Sequence, residues 1–125
     1  MNSSNTINIL QWNCRSIRSN RESLLQLLHQ HNIHIVLLSE TWLLPNEHFN
    51  FPNFQIYRND RADGHGGVMI LVRNYLYSSR LTIQPYPLQD LPTSSLIAVS
   101  IHLSNRILTL ASLYIPQQLI SIPNA

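Results

Sequence analysis

INILQWNCRSIRSNRESLLQLLHQHNIHIVLLSE, residues 7–40, is the stretch on which the fold turns. Residues 7–12 are short and mostly apolar, and read as a strand. A polar turn follows from Asn13 to Ser19. Ser19-Asn20-Arg21-Glu22 has the spacing of a capping box, in which a serine hydroxyl accepts from an orphan helix amide and a glutamate reaches back. Leu24, Leu25, Leu27 and Leu28 then supply an apolar helix face. The spacing predicts a helix ending near His31, with Asn32 as a left-handed cap. Residues 33–38, Ile-His-Ile-Val-Leu-Leu, read as a buried strand. Strand, helix, strand over so short a span is a βαβ unit, so the strands should be parallel and the crossover right-handed. Asn13 and Ser39-Glu40-Thr41-Trp42 then follow the carboxyl ends of two neighbouring strands and share one rim. Ligands bind at that rim in open α/β sheets.

Outward from this unit, residues 43–53 hold two prolines and read as a loop. Phe54 to Arg58 read as a short strand, Asn59 to Gly67 as a glycine-bearing loop, and Val68 to Val72 as another buried strand. Residues 85–95, with three prolines, read as a surface connection. Leu96 to Ile101 and Ile107 to Leu113 read as strands joined through a turn at Ser104-Asn105. After Tyr114-Ile115-Pro116 the pattern decays into a divergent tail, 117–125. The fold class expected is α/β of the α+β sandwich type, in a single domain.

Composition narrows the function classes. An apolar fraction of 44% in 125 residues calls for a packed core and excludes a disordered tail. No apolar run approaches the ~20 residues that span a bilayer. Residues 1–6 carry neither a basic nor an apolar leader region, so no signal peptide, no membrane partner and an intracellular location are expected. Cys14 is the only cysteine, so no disulfide framework is available and a reducing compartment fits. A net charge of +2 is too small to establish a nucleic-acid partner. All eight basic residues are arginine, whose planar fork holds phosphate in a bidentate way, or which reflects a compositional habit of the source.

Glu40 is the leading chemical candidate, an acid placed where the chain leaves an apolar strand. A carboxylate there suits a hard cation such as Mg²⁺, which takes oxygen ligands and keeps several waters. Asn13, on the same rim, could hold that carboxylate or a metal-bound water. From position alone, a solvated glutamate and a turn-forming asparagine are the simpler reading. His29, His31 and His34 lack an acidic partner at metalloprotease spacing and read as surface residues.

Five segments occur in an order that carries a resemblance. They are Trp12-Asn13-Cys14-Arg15-Ser16-Ile17, Ser39-Glu40-Thr41-Trp42, Tyr57-Arg58-Asn59-Asp60-Arg61, Gly66-Gly67-Val68 and Leu113-Tyr114-Ile115-Pro116. Over residues 7–116 the chain resembles the apurinic/apyrimidinic-like endonuclease domains of non-LTR retrotransposons of the jockey kind. These are part of the endonuclease/exonuclease/phosphatase superfamily. The resemblance implies a β-sandwich of four layers flanked by helices, of which this chain would hold an incomplete, amino-terminal half. It also implies a nuclear DNA-nicking activity dependent on Mg²⁺ or Mn²⁺. By position it implies Glu40 as a metal ligand, Asn13 in support of the metal site, and Tyr114 on the scissile phosphate. Arg58 and Arg61 would lie near the DNA, although Asp60 and Arg61 also read as a surface ion pair. The Gly-Asp-Phe-Asn and Ser-Asp-His motifs of such domains do not occur in these 125 residues. The expectation is therefore a fragment inactive alone, prone to aggregate through an uncovered sheet face. Two other readings stand beside it: a non-catalytic nucleic-acid-binding remnant using Arg15, Arg18, Arg21, Arg58 and Arg61, and a phosphatase or lipid phosphodiesterase of the same superfamily.

Overall fold

In the computed structural model, residues 6–82 and 95–115 are described. The expected proline-bearing connection, apart from Ser95, and the tail beyond Ile115 lie outside them. The chain runs β1 (Ile9–Asn13), α1 (Arg21–Gln30), β2 (Ile35–Ser39), β3 (Phe54–Asn59), β4 (Val68–Arg73), β5 (Tyr77–Leu81), β6 (Ser95–His102) and β7 (Ile107–Tyr114). A four-stranded sheet has the order β1-β2-β4-β3, and a three-stranded sheet the order β5-β6-β7. β1 and β2 are parallel, with Asn13 opposite Ser39, as the βαβ reading requires. Every other pairing is antiparallel.

Side-chain alternation builds two cores from one sheet. Successive residues of a strand point to opposite faces. Val68, Ile70 and Val72 of β4 and Ile35 of β2 meet Ile97, Val99 and Ile101 of β6 between the sheets. Met69 and Leu71 of β4 and Val36 and Leu38 of β2 face the other way, onto Leu24 and Leu28 of α1 and onto Phe49, Phe51 and Phe54. β4 is buried on both faces over Val68–Val72, which is why its sequence is unbroken apolar. Burying each such side chain contributes about 1.5–3 kcal/mol. The result is an α+β sandwich of two sheets with a helix against one of them, the class expected.

Three local expectations are corrected. Asn20, not Ser19, occupies the N-cap of α1 and makes no side-chain cap bond. Its amide is turned instead onto the carbonyls of Cys14 (2.7 Å), Arg15 (3.2 Å) and Ser16 (3.2 Å). The helix ends in extended backbone at His31, and Asn32 is not among the left-handed residues. The turn at His31-Asn32 that brings the chain back into β2 is made without a left-handed residue. The third correction is a strand that the apolar pattern did not signal, β5, Tyr-Ser-Ser-Arg-Leu, which lies at a sheet edge.

The two sheets do not overlap fully. Ile9, Gln11 and Asn13 share the face of β1 that carries Ile35 on β2, yet all three are exposed, Ile9 by 41%. The outer face of the smaller sheet also exposes Tyr77, Ile107 and Leu113. Among the described residues no helix is long and apolar enough to cross a membrane.

Candidate active site at one rim of the sandwich

The carboxyl ends of β1, β2 and β3 and the amino end of β4 meet at one rim, because Asn13 faces Ser39, Ser39 faces Val68, and Val68 faces Asn59. β7 reaches the same rim from the second sheet. The buried Ser112 hydroxyl donates to the Leu38 carbonyl (2.8 Å), and Tyr114 follows two residues later. Asn13, Glu40, Arg61 and Tyr114 are thus brought to one end of the molecule.

Main-chain hydrogen bonds lace three loops together there. Cys14 N–H donates to Ser39 (3.0 Å), Ser16 to Glu40 (2.9 Å) and Ile17 to Thr41 (3.1 Å). Glu40 N–H donates to Gly67 (2.8 Å) and Trp42 N–H to Gly66 (3.0 Å). The backbone is strained where it is laced. Of five non-glycine residues with positive φ among those described, four lie here: Arg15 (45°), Ser16 (85°), Glu40 (55°) and Trp42 (57°). Such conformations cost on the order of 1–3 kcal/mol each and persist only where surrounding structure imposes them, which is common at functional sites. Gly66 and Gly67 are left-handed as well, at 58° and 86°. A Cβ on Gly66 would meet the Tyr114 ring at 2.9 Å and Cδ of Arg61 at 2.8 Å. A Cβ on Gly67 would meet the Thr41 hydroxyl at 2.7 Å.

Charge separates the acids. Glu47 pairs with Arg18, Asp60 with Arg58, and Asp63 with Arg61. The Asp60–Arg61 pair expected from sequence is therefore replaced by two others. Glu40, half-buried on the rim, has no such partner among the described residues. The arginines separate too. The Arg58 fork is engaged by the protein, with Nε on Asp60 (2.8 Å), Nη1 on the Glu47 carbonyl (2.9 Å) and Nη2 on the Leu44 carbonyl (2.9 Å). It braces the loop after β2. Arg61 grips Asp63 (2.5 Å), whose carboxyl that guanidinium holds well below the usual range. Arg18 reaches Glu47 and the His48 carbonyl. Arg21 reaches the Asn50 carbonyl and lies over Phe51. Arg15 is exposed on the rim and, among the described residues, its side chain has no protein partner.

Among the described residues, two buried side-chain atoms lack hydrogen-bond partners, Oγ1 of Thr41 and Oδ1 of Asp60. Sequence reasoning also missed the stitching role of Asn20 and the outward placement of Trp42. Only a backbone conformation reveals either.

Cys14 lies beneath the first loop, its thiol directed at the carbonyls of Ser39 (3.5 Å) and Glu40 (3.6 Å). Burial pushes its pKa from 9.0 to about 11, and the Glu40 carboxylate adds to the rise against a lowering backbone hydrogen bond. That proximity places Glu40 beside the turn after Asn13. In the unfolded chain the thiol ionises near 9.0, so its contribution to stability is full below that pH. It is lost as pH rises through about 11. Chemical denaturation of the chain should show an alkaline decline of about 3 kcal/mol across this window that Cys14→Ala lacks. Parallel curves for the two proteins would contradict it.

A carboxylate without an ion-pair partner, on the rim that also carries Asn13, suits an ion held chiefly by waters and by substrate oxygens, as Mg²⁺ is. It does not fit a cation caged by protein. Among the described residues no three histidine, cysteine or acidic side chains gather around one point.

The model of the Endonuclease/Exonuclease/phosphatase family matches residues 10–111. The RNA-directed DNA polymerase from mobile element jockey of Drosophila melanogaster is 25% identical over 115 residues. That match takes in 89% of this chain but 12% of the jockey protein. The endonuclease domain of TRAS1, a telomere-specific non-LTR retrotransposon, superposes with a TM-score of 0.66 at 19% identity. It covers 88% of this chain and 46% of that one, and at such identity the likeness is one of fold.

Proposed function

The chain belongs to the Endonuclease/Exonuclease/phosphatase family, and from that premise we propose that its rim is part of a Mg²⁺-dependent site for hydrolysing DNA phosphodiesters, in a protein of retrotransposon type. The single observation that carries the reading is Glu40, a carboxylate without an arginine partner among the described residues, held on the strained, hydrogen-bonded rim that also carries Asn13. Similarity to the jockey protein favours nucleic acid over a phospholipid or a small phosphate ester.

In this reading Glu40 holds a divalent ion, Mg²⁺ or Mn²⁺, and Asn13 orients the carboxylate or a water. The ion, when bound, supplies positive charge against the phosphate oxygens. Tyr114, half-buried at the end of β7, would donate its hydroxyl to a phosphate oxygen. Of the two arginines expected near DNA, Arg61 packs over the same glycine as Tyr114 but is paired with Asp63, and Arg58 is held by Asp60 and two carbonyls, so either would exchange a protein partner for phosphate. Arg15 adds an exposed fork, suited to the strand backbone.

Mn²⁺ tests the metal assignment without any activity. Added to the isotope-labelled chain, it should broaden amide signals of Asn13, Glu40 and neighbours first, and Glu40→Gln should remove that selectivity. Broadening that centres on the Asp63 loop instead, or that survives Glu40→Gln, would remove the basis of the proposal.

A further inference from the structure

Trp42 stands out on the rim for reasons that neither the metal nor the phosphate explains. It is a large apolar side chain exposed by 41%, in the left-handed conformation at φ 57°. Bulky residues rarely adopt that conformation, since the Cβ crowds the following carbonyl oxygen. Its neighbours Thr41 and Leu43 are buried, at 0% and 1%, so the strained turn aims them inward and Trp42 outward. Trp42 is not among the residues of either core. Its location is also specific. Trp42 N–H is bonded to the carbonyl of Gly66, the same glycine over which the Tyr114 ring and the Arg61 stem pack. A partly exposed indole is therefore carried on backbone tied to the glycine that Tyr114 covers, two residues from Glu40.

We propose that Trp42 is a stacking platform for a nucleobase adjoining the cleaved phosphodiester, and that it biases the site toward DNA whose bases are exposed rather than paired. The proposal rests on the DNA-phosphodiester reading above. Every base offers a π-face, so stacking on an aromatic side chain strengthens binding with little dependence on sequence. Leu44, exposed by 43% and next but one along the chain, extends the apolar surface beside it. Intact duplex DNA hides its base faces, so the platform discriminates between strand states and not between base identities.

The test is binding of the full chain to a fluorescent single-stranded oligothymidylate and to the matching duplex, across a salt series. Trp42→Leu keeps an apolar side chain and the same backbone cost but removes the ring; Trp42→Phe restores a ring. The expected result is about tenfold or greater weakening on the single strand for Trp42→Leu, substantial recovery in Trp42→Phe, and little change on duplex. The slope of log K against log salt should be unchanged, since no phosphate contact is lost. Equal single-strand affinity for wild type and Trp42→Leu, or a loss that Trp42→Phe shares in full, overturns the stacking role while leaving the DNA reading intact. Absence of salt-dependent binding by the wild-type chain to either oligonucleotide overturns the DNA reading and the inference together.

Discussion

Supercoiled plasmid incubated with Mg²⁺ and a polypeptide of these 125 residues should stay supercoiled. Glu40, Asn13 and Tyr114 share the rim and are the groups proposed for the site. They could hold an ion and a phosphate, but none is a base poised to activate water. Asp60 and Asp63 are tied to arginines. The resemblance assigns water activation to the Gly-Asp-Phe-Asn and Ser-Asp-His segments, which this sequence does not contain. One missing donor in a preorganised site costs ~10²–10³-fold, and groups acting as a unit fail together. A longer polypeptide carrying both motifs after this stretch should therefore nick on the order of 10³-fold faster or more. Mg²⁺-dependent relaxation of plasmid by the 125 residues, abolished by Glu40→Gln, would show that the described rim is already sufficient.

The second large effect is on the fold. Gly67→Ala should lower stability by roughly 2–5 kcal/mol, adding a left-handed cost of ~1–2 to an overpacking cost of ~1–3. The new methyl would come within 2.7 Å of the Thr41 hydroxyl, which is fully buried. Against the marginal stability of a small domain this is a large share. Thr41→Ala removes the oxygen that is struck, so the double variant should recover the packing part and keep the conformational part. A coupling above about 0.5 kcal/mol in that cycle is the expected signature. Simple additivity would mean that the contact is relieved by backbone movement and that the three loops are less firmly joined than their hydrogen bonds indicate.

How far the sequence carried the reading depends on what each feature rests on. Apolar runs bounded by turn residues located β1 to β4, β6 and β7 to within a residue or two, since buried strands leave a dense signal. β5 was missed because Tyr77-Ser78-Ser79-Arg80-Leu81 sits at an edge, half-exposed and mixed in polarity. The common rim of Asn13 and Glu40 was legible because parallel pairing across a short crossover leaves no alternative end for them. Caps were less legible. Ser19 and Glu22 have capping-box spacing, but Asn20 wins the N-cap and spends its amide on the preceding loop. Ion pairs were least legible, as Asp60 has an arginine two residues before it and another directly after it. Only the strand direction, with Asp60 following Arg58 off β3, decides between them. The left-handed turns at Glu40 and Trp42 left no trace in composition, because the residues that occupy them are not those a positive φ favours.

The lacing of the rim runs almost wholly through peptide groups. Its shape is consequently indifferent to most of the side chains it displays: Arg15, Glu40 and Trp42 are attached to a mount that would persist if they were exchanged. Relatives with different amino acids at these places would keep the same spatial template while altering what it grips, so divergence in substrate preference can proceed there without the scaffold having to be rebuilt.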